Sequence, residues 1–313
     1  MKIVNKFHQA QYKHMESVGE EVGILDKLKI WTDKTTVDYW RHERQYKTIE
    51  TLAAKFKNKK WLTVGDGRFG LDSAKLKEMF NLDCVLPTDI SGALLKKGKE
   101  LKVIEDYKVE NAELLSFKDG EFDVVFCKEA YHHFPRAPIA LYEMLRVSSD
   151  VVVLIEPMDE TTIFQLSRVE SLKMGIKLLI NSFLNRQMNL PIQFKSQFIG
   201  HEDSGNFVYS TSIREFERML HGLDIYGLAW KGFNDKYIEG CEYEKAIDGN
   251  PVFEKIKSVI KNYDSQCKLF PSHNCYINAS IIIFKNKIDS TLKNDLESDG
   301  YNFVLTKNNP FIS

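Results

Sequence analysis

The chain has 313 residues, of which 43% are apolar and 28% charged, as in a folded globular protein with a sizeable core. Its 43 Lys and Arg residues nearly balance 44 Asp and Glu residues, so we expect no nucleic-acid partner. The longest apolar runs, at 151–155 and 280–284, are far too short for a transmembrane segment.

The N-terminus lacks the apolar core of a signal peptide, and the five cysteines are scattered without a C-x-x-C pair. Reduced thiols in a cytoplasmic protein are the simplest interpretation, and no structural zinc is expected.

In chain order, a helical apolar spacing over 34–58 precedes a series of short, continuously apolar strands that alternate with amphipathic helices. The predicted strands are 61–64, 83–90, 121–130 and 150–157, and the predicted helices between them are 71–81, 91–103 and 137–147. The segment 107–117 takes the third place in this series, so 121–130 is the fourth β-element and 150–157 the fifth. This alternation is typical of parallel βαβ units whose sheet is covered on both faces.

After Pro157 the pattern changes. Helices are predicted at 162–185 and 212–223, and two late strands at 224–235 and 278–287. No long helix returns the last strand, so we expect it to join the sheet antiparallel. The predicted fold class is α/β: a doubly wound, mostly parallel, seven-stranded Rossmann-like sheet with an antiparallel last strand.

We expect four regions along the chain. They are an N-terminal helical cap at 1–58, a nucleotide-binding core at 59–157, a helical and irregular insertion at 158–223 that caps the substrate, and C-terminal strands with a tail at 224–313.

The loop GDGRFG places Gly65, Gly67 and Gly70 between a strand and a helix. Absent side chains let the backbone turn sharply and approach a ligand, while helix N–H groups face it. Asp89 ends the next strand, where a carboxylate can accept hydrogen bonds from both ribose hydroxyls of a nucleotide. Taken alone, these features fit NAD and S-adenosylmethionine (SAM) equally, and a tight turn without any ligand is a third interpretation.

The segment 109–147, VENAELLSFKDGEFDVVFCKEAYHHFPRAPIALYEMLRV, resembles the class I SAM-dependent methyltransferases, in the branch with a D-A-x-x-L-P-F segment and an H-H pair. The resemblance covers about 60–157. Three positions depart from the family pattern: Thr63 replaces an acid, Phe69 replaces the third glycine, and Asn111 replaces the acid of the D-A pair.

The resemblance implies SAM as the cofactor. It implies that the glycine loop carries the backbone of SAM, that Asp89 holds the ribose, and that residues after the third and fourth strands border the adenine and the methionine end. The implied cofactor-binding residues are Gly65, Asp66, Gly67, Arg68, Asp89, Ile90, Asn111, Ala112, Glu113 and Lys128.

Methyl transfer needs an aligned nucleophile and often a base for its proton. Glu129, His132 and His133 follow the fourth strand and are the candidate catalytic residues, with His133 preferred as the base. The alternative for either histidine is a helix cap or packing against Phe134.

The same segment resembles the C-x-E-x-x-E-H motif with which ubiquinone-biosynthesis O-methyltransferases hold a divalent cation. Glu129, His132 and His133 could share one helical face and bind a divalent metal, although two imidazoles favour transition metals over magnesium. Our expectation is nevertheless that there is no metal site.

Tyr39, Trp40 and Arg44 lie in the N-terminal helical region and are candidate substrate contacts, with simple coverage of the sheet as the alternative for Trp40. The predicted function is transfer of a methyl group from SAM to an oxygen or nitrogen of a small molecule, with a sugar or specialised metabolite as the first guess. Two alternatives stay open: an NAD-dependent oxidoreductase or epimerase, and a methyltransferase-like binding protein without catalysis. A homodimer is left open beside a monomer.

Overall fold

The computed structural model describes residues 6–159, 168–184, 199–202, 207–223, 225–269 and 276–306. Within these ranges the chain forms one large sheet, a separate two-stranded ribbon and the helices that surround them.

The large sheet has eight strands. They are β1 (Lys60–Val64), β2 (Cys84–Asp89), β3 (Lys108–Val109), β4 (Phe122–Lys128), β5 (Ser148–Pro157), β8 (Gly227–Phe233), β9 (Asn278–Phe284) and β10 (Asn302–Leu305). They lie in the order β10-β8-β9-β5-β4-β1-β2-β3, and β3, β2, β1, β4 and β5 pair parallel. Strand order reverses at β1, between β2 and β4, which is the point where open α/β sheets bind ligands.

Both faces of the sheet are covered, as the continuously apolar strands predicted. Alternate strand residues such as Val125 and Val152 pack on one face against helices α7 (Ala137–Val147) and α9 (Ile213–His221). Their neighbours, such as Val124, join the opposite core. The predicted mostly parallel, doubly wound arrangement is therefore confirmed.

The predicted antiparallel strand is β9, which pairs antiparallel with both β5 and β8. The prediction of seven strands was wrong, because β10 adds an eighth at the edge by pairing antiparallel with β8. The four-residue strand follows helix α11 (Ser290–Ser298) in a region that the sequence interpretation treated as a tail.

Four helices precede the sheet: α1 (Lys6–Glu20), α2 (Ile24–Thr32), α3 (Val37–Lys47) and α4 (Glu50–Lys55). The single helix predicted over 34–58 is therefore two helices that meet at Thr48 and Ile49. Thr36 caps α3, because its side chain accepts a hydrogen bond from the backbone N–H of Tyr39 at 3.1 Å.

Helices α5 (Leu71–Phe80) and α6 (Ala93–Glu100) follow β1 and β2, close to the predicted bounds. Helix α10 (Pro251–Leu269) was not predicted.

The predicted insertion at 158–223 falls partly outside the described residues. Its described part contains α8 (Arg168–Phe183), the ribbon of β6 (Ile199–His201) and β7 (Phe207–Tyr209), and α9. Among the helices in the described ranges, none has the length and apolar character needed to cross a membrane.

Candidate active site

A cavity of about 320 Å³, here called the large cavity, opens where the parallel strands end. The loops after β1, β2, β3 and β4 form its floor, helix α1 forms one wall, and Glu202 lies at its rim. Its lining includes His8, Gln11, His14, Met15, Gly65, Gly67, Arg68, Asp89, Ile90, Glu110, Asn111, Ala112, Glu113, Glu129, Ala130, His133, Phe134, Pro135 and Glu202.

Two positions of the glycine loop have no room for a side chain. Gly65 has a φ of 81°, and a Cβ there would lie 2.5 Å from the Cβ of Ala130. A Cβ on Gly67 would lie 2.7 Å from Asp89 Oδ2. The backbone of this loop therefore faces the Asp89 carboxylate directly.

Asp66 holds the start of α5 in place. Its carboxylate accepts hydrogen bonds from the N–H groups of Asp72 at 3.0 Å and Ser73 at 2.9 Å, and from the hydroxyl of Thr63 at 2.9 Å. These N–H groups favour the charged form, but burial and the neighbouring Asp72 outweigh them and raise the pKa of Asp66 to about 8. The acid that the family pattern places at Thr63 is thus replaced by Asp66, three residues later and hydrogen-bonded to Thr63.

Phe69 occupies the position of the expected third glycine and has a φ of 60°, a left-handed conformation that L-residues rarely adopt. Its side chain is fully buried in a cluster with Ile24, Leu28, Leu71 and Leu94. The backbone therefore keeps the turn that glycine would make. The ring packs the loop against helix α2, which carries Ile24 and Leu28.

Asp89 ends β2 with its carboxylate facing the large cavity, and its Oδ1 accepts a hydrogen bond from the N–H of Ser91 at 2.9 Å. Burial raises the pKa of Asp89 to about 6. Ile90 lies beside it on the cavity wall. A carboxylate and an apolar side chain in this order suit a ribose and an adjoining base.

The segment after β3 forms the next part of the wall. The side chain of Asn111 accepts a hydrogen bond from the N–H of Glu113 at 2.9 Å, which fixes a turn around Ala112. The buried Glu113 carboxylate accepts from the N–H of Arg136 at 2.7 Å and lies 2.9 Å from His8 Nε2. The three residues that the sequence placed near adenine do line the large cavity.

Helix α1 is the part of the wall that the sequence interpretation missed. His8, Gln11, His14 and Met15 line the large cavity from this helix, and the Gln11 amide donates a hydrogen bond to the backbone oxygen of His133. The helix is mostly polar, so its apolar spacing is weak. The available signal in the sequence was that Gln11 follows His8 by three residues, and that His14 and Met15 follow Gln11 by three and four.

A smaller cavity of about 110 Å³, here called the small cavity, lies on the other side of Gly65 and Glu129. It collects titratable side chains from α3, α5, the loop after β1 and the end of β4, which are Asp38, His42, Asp66, Arg68, Asp72, Lys75, Lys128 and Glu129.

Lys128 is the central cation of the small cavity: its Nζ lies 2.9 Å from His42 Nδ1 and 2.7 Å from Glu129 Oε2. Glu129 has a φ of 49°, which turns the chain out of β4. Burial alone would raise the pKa of Glu129, but Lys128 outweighs it and holds this pKa well below the usual range. Burial and Lys128 together lower the pKa of Lys75 to about 8.

The two histidines have different surroundings. His133 lines the large cavity, and burial together with the neighbouring His132 lowers its pKa to about 3, so its imidazole is neutral at pH 7. The His132 Nδ1 lies 2.6 Å from Glu156 Oε2. Burial lowers the pKa of His132, but the Glu156 carboxylate outweighs it and the net shift is upward.

The structure does not bring Glu129, His132 and His133 together around one point. Residues Tyr131–His133 form a 3₁₀ turn rather than an α-helix, His132 contacts Glu156, and Glu129 contacts Lys128. In the described ranges, no group of three His, Cys, Asp or Glu side chains is arranged to hold a metal ion.

Tyr39, Trp40 and Arg44 are on α3, and none of the three lines the large or the small cavity. The Trp40 ring packs edge-on against Phe253 with 5.0 Å between centroids, and the Arg44 guanidinium lies 4.9 Å above the Trp40 ring. The Lys75 ammonium lies 4.7 Å from the Tyr39 ring. A substrate role for these residues stays a prediction.

Residues 62–154 match the family model described as a methyltransferase domain. The match spans β1 to β5 and includes the glycine loop, Asp89 and both histidines. It supports methyl transfer as the activity of this part of the chain. A search of curated proteins gave no significant match.

Several solved structures share features of this fold. Magnesium protoporphyrin IX methyltransferase from Synechocystis, with bound SAH, has a TM-score of 0.45 and 11% identity over 88% of this chain and 99% of its own. A SAM-dependent methyltransferase from Mesorhizobium loti has 0.45 and 10% over 73% and 92%, and one from Thermotoga maritima has 0.44 and 11% over 87% and 99%.

Proposed function

We propose that this protein is a class I SAM-dependent methyltransferase that transfers a methyl group to an oxygen or nitrogen of a small molecule. The observation that carries the proposal is the close approach of the loop backbone at Gly67 to the Asp89 carboxylate. Both residues lie in the segment that matches the methyltransferase domain model.

The residues of the large cavity fit an adenosine. The absence of a side chain at Gly67 lets the loop backbone approach Asp89, which would accept the two ribose hydroxyls. Ile90 and Ala112 would border the base, and Asn111 has an amide that can hydrogen-bond its edge. These residues lie at the carboxyl ends of three neighbouring strands: Gly67 after β1, Asp89 and Ile90 at the end of β2, and Asn111 and Ala112 after β3.

The small cavity fits the amino-acid end of the cofactor. That end carries one carboxylate and one ammonium group, and the small cavity offers cations at Arg68, Lys75 and Lys128 and a carboxylate at Glu129. Arg68, Gly65 and Glu129 line both cavities, so a single ligand can pass from one to the other along the glycine loop.

When bound, SAM supplies an electrophilic methyl group on a sulfonium. The protein would align the nucleophile and receive its proton. His133 has the position for this role, because it lines the large cavity. Helix α1 and Phe134 would exclude water from the same space.

The acceptor that we propose is small and polar. The volume of about 320 Å³ has to hold most of the cofactor as well, which leaves little room for a large acceptor. Gln11, His14 and Glu202 offer hydrogen-bonding groups at the rim, as a sugar hydroxyl or an amine would need. A cytoplasmic location remains part of the proposal.

The cofactor is tested by calorimetry of the purified chain with SAM, S-adenosylhomocysteine and NAD. We expect the first two to bind and NAD not to bind. Gly67→Ala should abolish binding, since its methyl group would meet the Asp89 carboxylate, whereas Gly200→Ala is a matched control that places its methyl group in open space. Binding of NAD without SAM would favour the oxidoreductase alternative and overturn the proposal.

Catalysis is tested by release of S-adenosylhomocysteine from SAM in the presence of a panel of small hydroxylated and amino compounds. His133→Asn should reduce turnover by about 100-fold or more while leaving the affinity for SAM within about twofold. A chain that binds SAM but turns over no member of a broad panel would instead support a binding protein without catalysis.

A further inference from the structure

Glu156 is a fully buried carboxylate at the end of β5 that does not itself line the large cavity. Its Oε1 accepts hydrogen bonds from the N–H groups of Ala130 at 3.1 Å and Tyr131 at 3.0 Å. Its Oε2 lies 2.6 Å from His132 Nδ1. The Glu156 side chain on β5 thus contacts three groups of the turn that follows β4: two backbone N–H groups and one imidazole.

This turn carries the part of the cavity wall where the proton has to be received. Glu129, Ala130, His133 and Phe134 all come from it, and all line the large cavity. The His132 and His133 rings are 4.1 Å apart between centroids and inclined by 39°. His132 itself is buried behind His133, next to Glu156.

We propose that Glu156 and His132 are a positioning pair for His133: together they hold in place the turn that carries its imidazole. The proposal rests on the function proposed above, in which His133 receives the proton of the acceptor. It assigns His132 a supporting role rather than that of the base.

The ionisation of the His132 and His133 imidazoles is coupled through their surroundings. The Glu156 carboxylate favours the protonated form of His132, whose pKa is raised despite burial. A protonated His132 disfavours a second proton on His133, whose pKa is lowered first by burial and then by this neighbour. The other titratable or charged groups that face His133 are Arg68 from the loop after β1, His14 from α1, Glu129 from its own segment, and Glu202 from the end of β6.

Glu156→Gln removes the charge and keeps the size of the side chain. We expect the titration midpoint of His132, followed by NMR of its imidazole protons, to fall by about one pH unit or more, and that of His133 to rise. The eight histidines of the chain can be assigned with His132→Asn and His133→Asn. Unchanged midpoints for both rings in Glu156→Gln would overturn the proposal.

The kinetic test uses the acceptor found in the turnover screen. Because the turn loses the carboxylate that contacts Ala130, Tyr131 and His132, Glu156→Gln should lower kcat by about 10- to 100-fold. The acid limb of the pH profile should move to higher pH, as the pKa of His133 rises, and the affinity for SAM should stay within about twofold. Glu156→Asp, which restores the carboxylate, should recover part of kcat. Glu143→Gln removes another partly buried carboxylate, one paired with Arg146, and serves as the matched control.

These outcomes separate the two proposals. If wild type binds no SAM, the proposed function fails, and the NMR titration still decides whether the pair exists. If Glu156→Gln does not fold, His132→Asn replaces it, because an asparagine can still donate to Glu156 while carrying no charge. The His133 midpoint should then rise, and an unchanged midpoint or a wild-type kcat in that variant would refute the pair.

Discussion

Phe69 offers the sharpest test of how this chain builds its ligand loop. Truncating a fully buried Phe to Ala generally lowers the free energy of unfolding by about 3–5 kcal/mol, and Phe69 is fully buried. Its φ of 60° adds a second effect, because left-handed backbone costs an L-residue about 1–2 kcal/mol that glycine does not incur. We therefore expect Phe69→Gly to be about 1 kcal/mol more stable than Phe69→Ala, after allowing for the greater flexibility of unfolded glycine.

The assay is urea unfolding followed by far-UV circular dichroism, with both variants measured beside the wild type. The matched pair is Leu76→Ala and Leu76→Gly, at a fully buried position within α5. There the order should be the ordinary one, with Gly about 1 kcal/mol less stable than Ala. If Phe69→Gly unfolds at a lower urea concentration than Phe69→Ala, the left-handed turn is not what this position requires.

Two further predictions concern the ligand. Asp89→Asn should weaken SAM binding by about 10- to 100-fold through lost charge-assisted hydrogen bonds. In the wild type, calorimetry should show affinity falling as the pH drops through about 6, where burial places the pKa of Asp89, and the variant should lack this step. Arg68→Gln should weaken SAM binding by about tenfold yet leave 5′-methylthioadenosine, which lacks the amino-acid end, unaffected; equal losses for both ligands would contradict the assignment of the small cavity.

Much of the fold followed from local sequence. The strands β1, β2, β4 and β5 are short apolar runs bounded by turns, and burial on both faces is what such runs require. Helix α7 was predicted at its observed bounds because its apolar residues recur at helical spacing. The edge strand β10 was missed, since four residues beside a chain end give too short a pattern.

Part of the candidate site could also be predicted from local sequence, and part of it could not. Gly65, Gly67 and Asp89 could be predicted, because the turn and the strand end that place them are local features. The small cavity could not, since His42 and Lys128 meet there only after α3 packs against the carboxyl end of β4.

What the sequence by itself determined is the α/β core, the glycine loop and the carboxylate that faces it, because each depends on residues near one another in the chain. Only the tertiary structure decided that helix α1 closes the large cavity and that Glu156 on β5 contacts His132 in the turn after the neighbouring strand β4. Those contacts join residues far apart in sequence, and their geometry is set by how the helices and strands pack rather than by any local pattern.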